Sequence, residues 1–215
     1  VRALWKETLI IAVLLALGIA VSWTLVANDP AWFQALVPGD LAGGRGPEAD
    51  AAALHETIYG APDKGGLHIF ATYLFTHNSQ VSIMSYALGF AFGLPTMMLE
   101  FYQGIPLGAM LAVFNKAGLL VDFIGWLSIH GTTELFAAII SGAAGLRIGT
   151  AFAFPGPQSR LAAAADAGKS SGAAIPGVSI MVVKAGRLGA LARQLGHRIV
   201  LRFAIGGTML TFWLC

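Results

Sequence analysis

Apolar residues in this chain are grouped into long runs instead of alternating with polar ones. The first run, Thr8–Ala27, contains no charged residue. A helix over this run is about 30 Å long, which matches the hydrocarbon thickness of a bilayer. Arg2 and Lys6 precede it, and basic residues favour the cytoplasmic side. We therefore predict a retained membrane anchor with a cytoplasmic N-terminus. The alternative is a signal peptide, whose apolar core is shorter, about 7–15 residues.

Residues 28–64 form the long hydrophilic stretch of the chain. Because acids outnumber bases here, the positive-inside rule predicts that this loop lies outside the cytoplasm. We expect a solvated loop with one short helix over Ala49–Tyr59. Its acidic residues are Asp29, Asp40, Glu48, Asp50, Glu56 and Asp63.

The next apolar stretches are separated by prolines and polar residues. Leu67–His77 has an amphipathic pattern that predicts a helix lying along the membrane interface. Val81–Leu94 is predicted to enter the bilayer and to end or kink at Pro95. Polar residues at 100–103 predict a tight turn at the inner face, and Gly104–Phe114 is a short apolar run after it.

The second half of the chain predicts further spans. Phe123–Ala144 is a full-length apolar run, and Pro155-Gly156-Pro157 is a strong stop signal. Residues 158–171 have the pattern of a cytoplasmic amphipathic segment. The apolar runs at 173–183 and 200–214 are predicted C-terminal spans, the first of them crossing fully or re-entering.

The composition supports the same class of protein. Hydrophobic residues make up 56% of the chain and charged residues 11%, whereas soluble domains have about 25% charged residues. We therefore predict an all-α membrane protein with five to six transmembrane helices, an interfacial helix and glycine-rich, locally broken helices. The predicted parts of this single domain are 1–27 (first span), 28–64 (loop), 65–154 (helical core), 155–172 (cytoplasmic segment) and 173–215 (C-terminal spans).

Two ionisable residues interrupt the apolar run Phe123–Ala144. His130 and Glu134 are four residues apart and would share one helix face. A carboxylate at the bilayer centre costs about 2.5–3.5 kcal/mol, so it should face the bundle interior. The pair either holds neighbouring helices together, lines a proton or ion path, or binds a metal. Asn78 either caps a helix or hydrogen-bonds to this pair.

Glycines spaced four residues apart recur in three apolar stretches, and this spacing lets helix backbones approach closely. Internal packing or contact with a second copy of the chain would explain them, and Gly131 would let the helix bend. The pairs are Gly89/Gly93, Gly104/Gly108 and Gly145/Gly149.

Sequence motifs of catalysis are missing from the chain. It lacks a phosphate-binding loop, a nucleophile-elbow motif and the His-Glu-x-x-His zinc motif. The net charge of +2 indicates no large basic surface for nucleic acid. We expect no cofactor and no bound metal; the expected partners are membrane lipids and other membrane or envelope proteins.

An ordered set of motifs over residues 65–165 resembles the stage II sporulation protein M family. Three departures are Gln103 where Asn is usual, Gly189-Ala190 where Glu-Gly is usual, and the basic residues Lys184 and Arg187 in an expected apolar stretch. The residues that carry the resemblance are Asn78, Gly89, Gly93, Thr96, Gln103-Gly104, Gly108, the run His130–Ala137, Gly145-Leu146, Gly149, Pro155-Gly156 and Ser159-Arg160.

The resemblance implies a multi-pass protein of the bacterial inner membrane that anchors partners, which in spore formers are peptidoglycan-degrading proteins. The leading hypothesis is a non-enzymatic membrane scaffold for envelope-associated proteins. A small transporter or channel using His130 and Glu134 is the first alternative, and an intramembrane metal-dependent enzyme is the second.

Overall fold

The computed structural model describes residues 2–60, 66–129, 131–172, 177–178, 181 and 199–214. This part of the chain is helical and has no β-strand, which confirms the predicted all-α class. Its main helices are α1 (Trp5–Asn28), α2 (Trp32–Leu36), α3 (Gly39–Ala42), α4 (Ala51–Tyr59), α5 (Gly66–Ala87), α6 (Leu94–Lys116), α7 (Leu120–Ser128), α8 (Gly131–Ala153), α9 (Arg160–Gly172) and α10 (Ile199–Leu214).

Three of these helices, α1, α6 and α8, are long and apolar enough to cross a membrane. A shorter apolar stretch, Ile199–Phe212, lies in α10. The predicted count of five to six spans is therefore not confirmed by the described residues. The predicted span at 173–183 lies largely outside them, as do the basic residues Lys184 and Arg187.

The turn predicted at residues 100–103 is wrong, because α6 passes through these positions without a break. Pro95 stands in the first turn of α6, where a missing N–H removes no helical hydrogen bond. The chain reverses earlier, through a 3-10 turn at Leu88–Phe90 and through Gly93, whose φ of 76° suits a residue without Cβ. Polar residues predicted to mark a turn are thus held inside a helix by packing.

The predicted interfacial helix over Leu67–His77 is not a separate element. Its residues belong to the continuous helix α5, which runs on to Ala87 before the 3-10 turn. The prediction divided this stretch by hydropathy into an amphipathic part and an apolar part. No residue between Gly66 and Ala87 interrupts the helix, so the two parts form one element.

Glycines let α1 and α6 run side by side in the same direction. Gly18 lies against the backbone of Phe101 and Gly104, and Gly108 lies against Ile19 and Ser22. Since both sets of positions advance together, the two helices are parallel. A Cβ at Gly104 or Gly108 would overlap backbone carbonyl oxygens of α1, so the close contact requires glycine.

Helix α8 runs antiparallel to α6. Gly142 lies against Glu100, and Gly149 lies against Gly93, so residue numbers increase along α8 as they decrease along α6. At the end of the bundle where α1 begins, Arg147 Nη1 is 2.9 Å from Glu7 Oε1 and forms an ion pair.

Residues 29–60, which we call the cap, fold over the end of the bundle where α1 and α6 finish. The short helix predicted over Ala49–Tyr59 is present as α4, and the side chain of Asp50 accepts a 2.6 Å hydrogen bond from Ala53 N at its start. Many other residues of this stretch are exposed to solvent, as expected, but apolar side chains of the cap join the core of the bundle, which the expectation of a solvated loop did not include. These buried cap residues are Phe33, Val37, Leu54 and Ile58.

Helix α9, within the segment predicted at 158–171, packs at the opposite end. Its Ala164 and Ala167 are buried against Ile148 of α8. Helix α10 packs on α7, where Ile199 and Phe203 contact Gly125.

Candidate functional site

A cavity of about 180 Å³ lies between α5, α6, α7 and α8. Its wall is mostly apolar, with Leu107, Met110 and Leu135 among the lining side chains. Such a cavity suits an apolar group held by a few polar contacts. The polar side chains that line it are Arg45, His77, Asn78, Gln103 and Glu134.

The structure brings Asn78 and Glu134 together at this cavity. The Asn78 side chain of α5 lies beside the Glu134 carboxyl of α8. Ser141 Oγ donates a 2.6 Å hydrogen bond to the Ser82 carbonyl farther along the same two helices. These two contacts advance together, so α5 and α8 are parallel and hold Asn78 opposite Glu134. Asn78 was predicted either to cap a helix or to contact the pair. It lies inside α5 and beside Glu134, which matches the contact with the carboxyl.

His130 lies outside the described residues, so its predicted position on the face of Glu134 has no structural description. Helix α7 ends at Ser128 and α8 begins at Gly131, which is buried. A Cβ at Gly131 would come within 2.9 Å of the Leu127 side chain, so this glycine allows α7 and α8 to meet closely.

The predicted glycine pairs all lie at helix contacts within this one chain. Gly89 packs on Gly145, and Gly93 packs on Gly149, which joins the turn after α5 to α8. Gly104 and Gly108 pack on α1 as described above. Internal packing, one of the two predicted roles, accounts for these six positions.

Sequence reasoning missed Glu100 as a buried group. It is 0% exposed, and neither carboxyl oxygen has a hydrogen-bonding partner among the described residues. The polar residues at 100–103, Glu100 among them, predict a tight turn, whereas α6 carries this acid into the bundle. One sequence signal could have indicated this buried acid. Pro95 suits the first turn of a helix, and Glu100 is the single acid of the largely apolar stretch that follows.

Ligands for a metal are not gathered in the part of the chain that the structure describes. No group of three or more His, Cys, Asp or Glu residues lies close enough there to hold an ion. The polar groups at the cavity are instead one carboxyl, two amides, an imidazole and a guanidinium, which can donate and accept hydrogen bonds to an amphipathic group.

The chain was compared with known proteins and families. The profile of the family Stage II sporulation protein M matches residues 10–191, which is most of the chain. Because this profile covers more than half of the chain, the chain belongs to the stage II sporulation protein M family. No curated protein and no solved structure gives a significant match.

Proposed function

We propose that this member of the stage II sporulation protein M family is a non-enzymatic scaffold, which anchors envelope proteins to the membrane through its cap. The proposal rests on the way the cap is built. A flexible loop has to be ordered when a partner binds, and this ordering weakens binding. The cap is already folded on the bundle.

Burial of apolar side chains supports the cap from beneath. Phe33 is 2% exposed and Leu54 is 1% exposed, and both pack in the cluster that contains Phe114, Phe123 and Trp126. Burial of a large apolar side chain contributes about 1.5–3 kcal/mol. The cap surface is therefore held in a fixed position relative to the spans.

A buried arginine ties the cap to α7 and α10. Arg202 Nη2 donates a 3.2 Å hydrogen bond to the Ile58 carbonyl, and its guanidinium lies over the Tyr59 ring. The Tyr59 hydroxyl in turn donates to the Asp122 carboxylate. These contacts join three elements that are far apart in sequence, and they favour a cap that moves with the membrane domain.

The outer surface of the cap is acidic. Its basic residue Arg45 is half-buried and donates hydrogen bonds to the carbonyls of Leu41 and Ala42. We therefore expect partners with a basic face, since complementary charge directs association. The exposed acids of the cap are Asp29, Asp40, Glu48, Asp50 and Glu56.

Photo-cross-linking in bacterial membranes tests this proposal. A photoreactive amino acid is placed at Asp40 or Glu48 in the cap and, as the matched control, at Arg160 or Asp166 in the exposed part of α9. We expect envelope proteins with a basic surface to be cross-linked from the cap positions and not from α9.

A variant with fewer acidic residues on the cap tests the role of charge. Asp29, Asp40 and Glu48 are changed to Asn, Asn and Gln in a chain that carries the photoreactive residue at Thr57. Cross-linking should fall severalfold while membrane insertion stays unchanged. Equal products from cap and α9 positions, or products that persist undiminished in the variant with fewer acids, would show that the cap is not the docking surface.

A further inference from the structure

Glu100 is a buried acid that the scaffold does not use. It lies within α6, one of the helices able to cross a membrane, and its side chain is 0% exposed. Its two carboxyl oxygens have no hydrogen-bonding partner among the described residues. A carboxylate left in this state would be unstable, because burial of a charge needs a compensating charge or hydrogen bonds.

The surroundings of Glu100 are small and neutral. The hydroxyl of Ser85 in α5 lies beside the carboxyl but, like it, has no hydrogen-bonding partner among the described residues. Thr96 Oγ1 already donates a 2.9 Å hydrogen bond to the Ser85 carbonyl. Gly142 of α8 faces the carboxyl from the other side. A small rotation of the Ser85 side chain would let it hydrogen-bond to the acid.

The helices packed around Glu100 carry few ionisable side chains, and no ion pair with Glu100 occurs in the described part of the chain. Glu7 of α1 and Arg147 of α8 pair with each other, and Glu134 lies at Asn78. The ionisable residues on the described faces of these helices, besides Glu100 itself, are Lys6 and Glu7 on α1, His77 and Tyr86 on α5, Tyr102 and Lys116 on α6, and Glu134 and Arg147 on α8.

We propose that Glu100 is an intramembrane proton-binding site, in which the carboxyl carries a proton while α5, α6 and α8 are closed around it. In the acid form, the hydroxyl of Glu100 donates to Ser85 Oγ. Loss of the proton leaves an uncompensated carboxylate, which has to be reached by water. Deprotonation therefore requires α8 to move away from α6 at Gly142, and the site links proton binding to the packing of the bundle.

The packing favours a proton over a metal cation. A Cβ at Gly142 would come within 2.7 Å of Glu100 Oε1 and 3.0 Å of Cδ, so even a methyl group does not fit there. Glu100 is also absent from the lining of the cavity around Glu134. A sodium ion with its oxygen ligands needs more room than this contact leaves.

Infrared spectroscopy of the full chain in lipid tests the proposal. A protonated carboxyl has a carbonyl stretch above the amide I band, which shifts down in D₂O. At neutral pH we expect this band in the wild type and loss of one component in Glu100→Gln, whose amide has the shape of the neutral acid. Glu134→Gln is the matched control and should leave the Glu100 component in place.

Two further variants test whether the infrared band comes from Glu100. Gly142→Ala pushes on the carboxyl and should shift the Glu100 component, whereas Gly207→Ala, at an open position, should not. If Glu100→Gln fails to fold, the wild-type spectrum and its Gly142→Ala shift decide the question. A wild type without the band at neutral pH, or a band that appears only when sodium is removed, would overturn the proton site.

Discussion

The guanidinium of Arg202 lies over the ring of Tyr59, with 4.4 Å between its central carbon and the ring centroid. Arg202 is 4% exposed, and its guanidinium hydrogen-bonds to the neighbouring carbonyl of Ile58. One side chain of α10 thus holds the last turn of α4, 144 residues earlier in the chain.

Loss of this contact should loosen the cap. We expect Arg202→Ala to lower the free energy of unfolding by about 2 kcal/mol, because a desolvated cation–π contact is lost together with its hydrogen bond. Limited proteolysis should then cut residues 29–60 faster than in the wild type. Arg160→Ala, at an exposed position of α9, is the control and should leave the cleavage rate unchanged. Wild-type cleavage in Arg202→Ala would contradict the role of this contact.

The ionisation of Tyr59 should report on the same cluster. Burial of the phenol raises its pKa above 10.0; the hydrogen bond with Asp122 and the charge of that carboxylate add to the rise, and Arg202 opposes it. Since the folded-state pKa is raised, its contribution to stability is present below about pH 10 and is lost as the pH rises through the folded-state value.

Ultraviolet titration of phenolate, with Tyr59→Phe subtracted to isolate this residue, measures the effect. Asp122→Asn should move the pKa of Tyr59 down towards 10.0, because the carboxylate charge disfavours phenolate. A Tyr59 that titrates at the ordinary value in the wild type would contradict both its burial and its hydrogen bond with Asp122.

Close packing of α6 on α1 should depend on Gly108. Its Cβ would overlap the Ile19 carbonyl oxygen, so we expect Gly108→Ala to cost about 1–3 kcal/mol through overpacking. The yield of monodisperse protein in detergent and its melting temperature should both fall. Gly207→Ala has no atom within 4 Å of the new methyl group and should keep wild-type yield. Equal behaviour of the two variants would argue against the parallel contact of α1 and α6.

The contact between Asn78 and Glu134 should be measurable as a coupling energy. We expect a double-mutant cycle with Asn78→Ala and Glu134→Ala to give about 1 kcal/mol, the usual size of an interhelical hydrogen bond in a bilayer. Glu134→Gln should be tolerated if the carboxyl acts only through hydrogen bonds, whereas Glu134→Leu should reduce folded yield.

Unfolding in mixed lipid–detergent micelles provides the energies for this cycle. Gln103→Ala serves as the control, because its side chain lines the same cavity from α6. Additive effects of Asn78→Ala and Glu134→Ala, with no coupling, would place the two side chains apart.

Several features of this protein follow from the sequence alone. Long apolar runs determine that helices such as α1 and α8 can cross a bilayer, because lipid cannot hydrogen-bond a bare backbone. Pairs of glycines such as Gly89/Gly93 determine where helices can approach closely. The short helix of the cap also follows from its local pattern, since Asp50 and the residues after it favour helix initiation.

Tertiary packing determined which polar and apolar side chains are buried and which residues they contact. Hydropathy is a property of each position, and it does not show which helix a polar side chain will meet. Glu100 therefore had the pattern of a turn residue, although α8 buries it completely. In the same way, Phe33 and Leu54 lie in a hydrophilic stretch, and only the ends of the spanning helices provide the apolar surface that covers them. The partner of Arg202 was equally hidden, because contacts between residues far apart in sequence form only when the whole bundle closes.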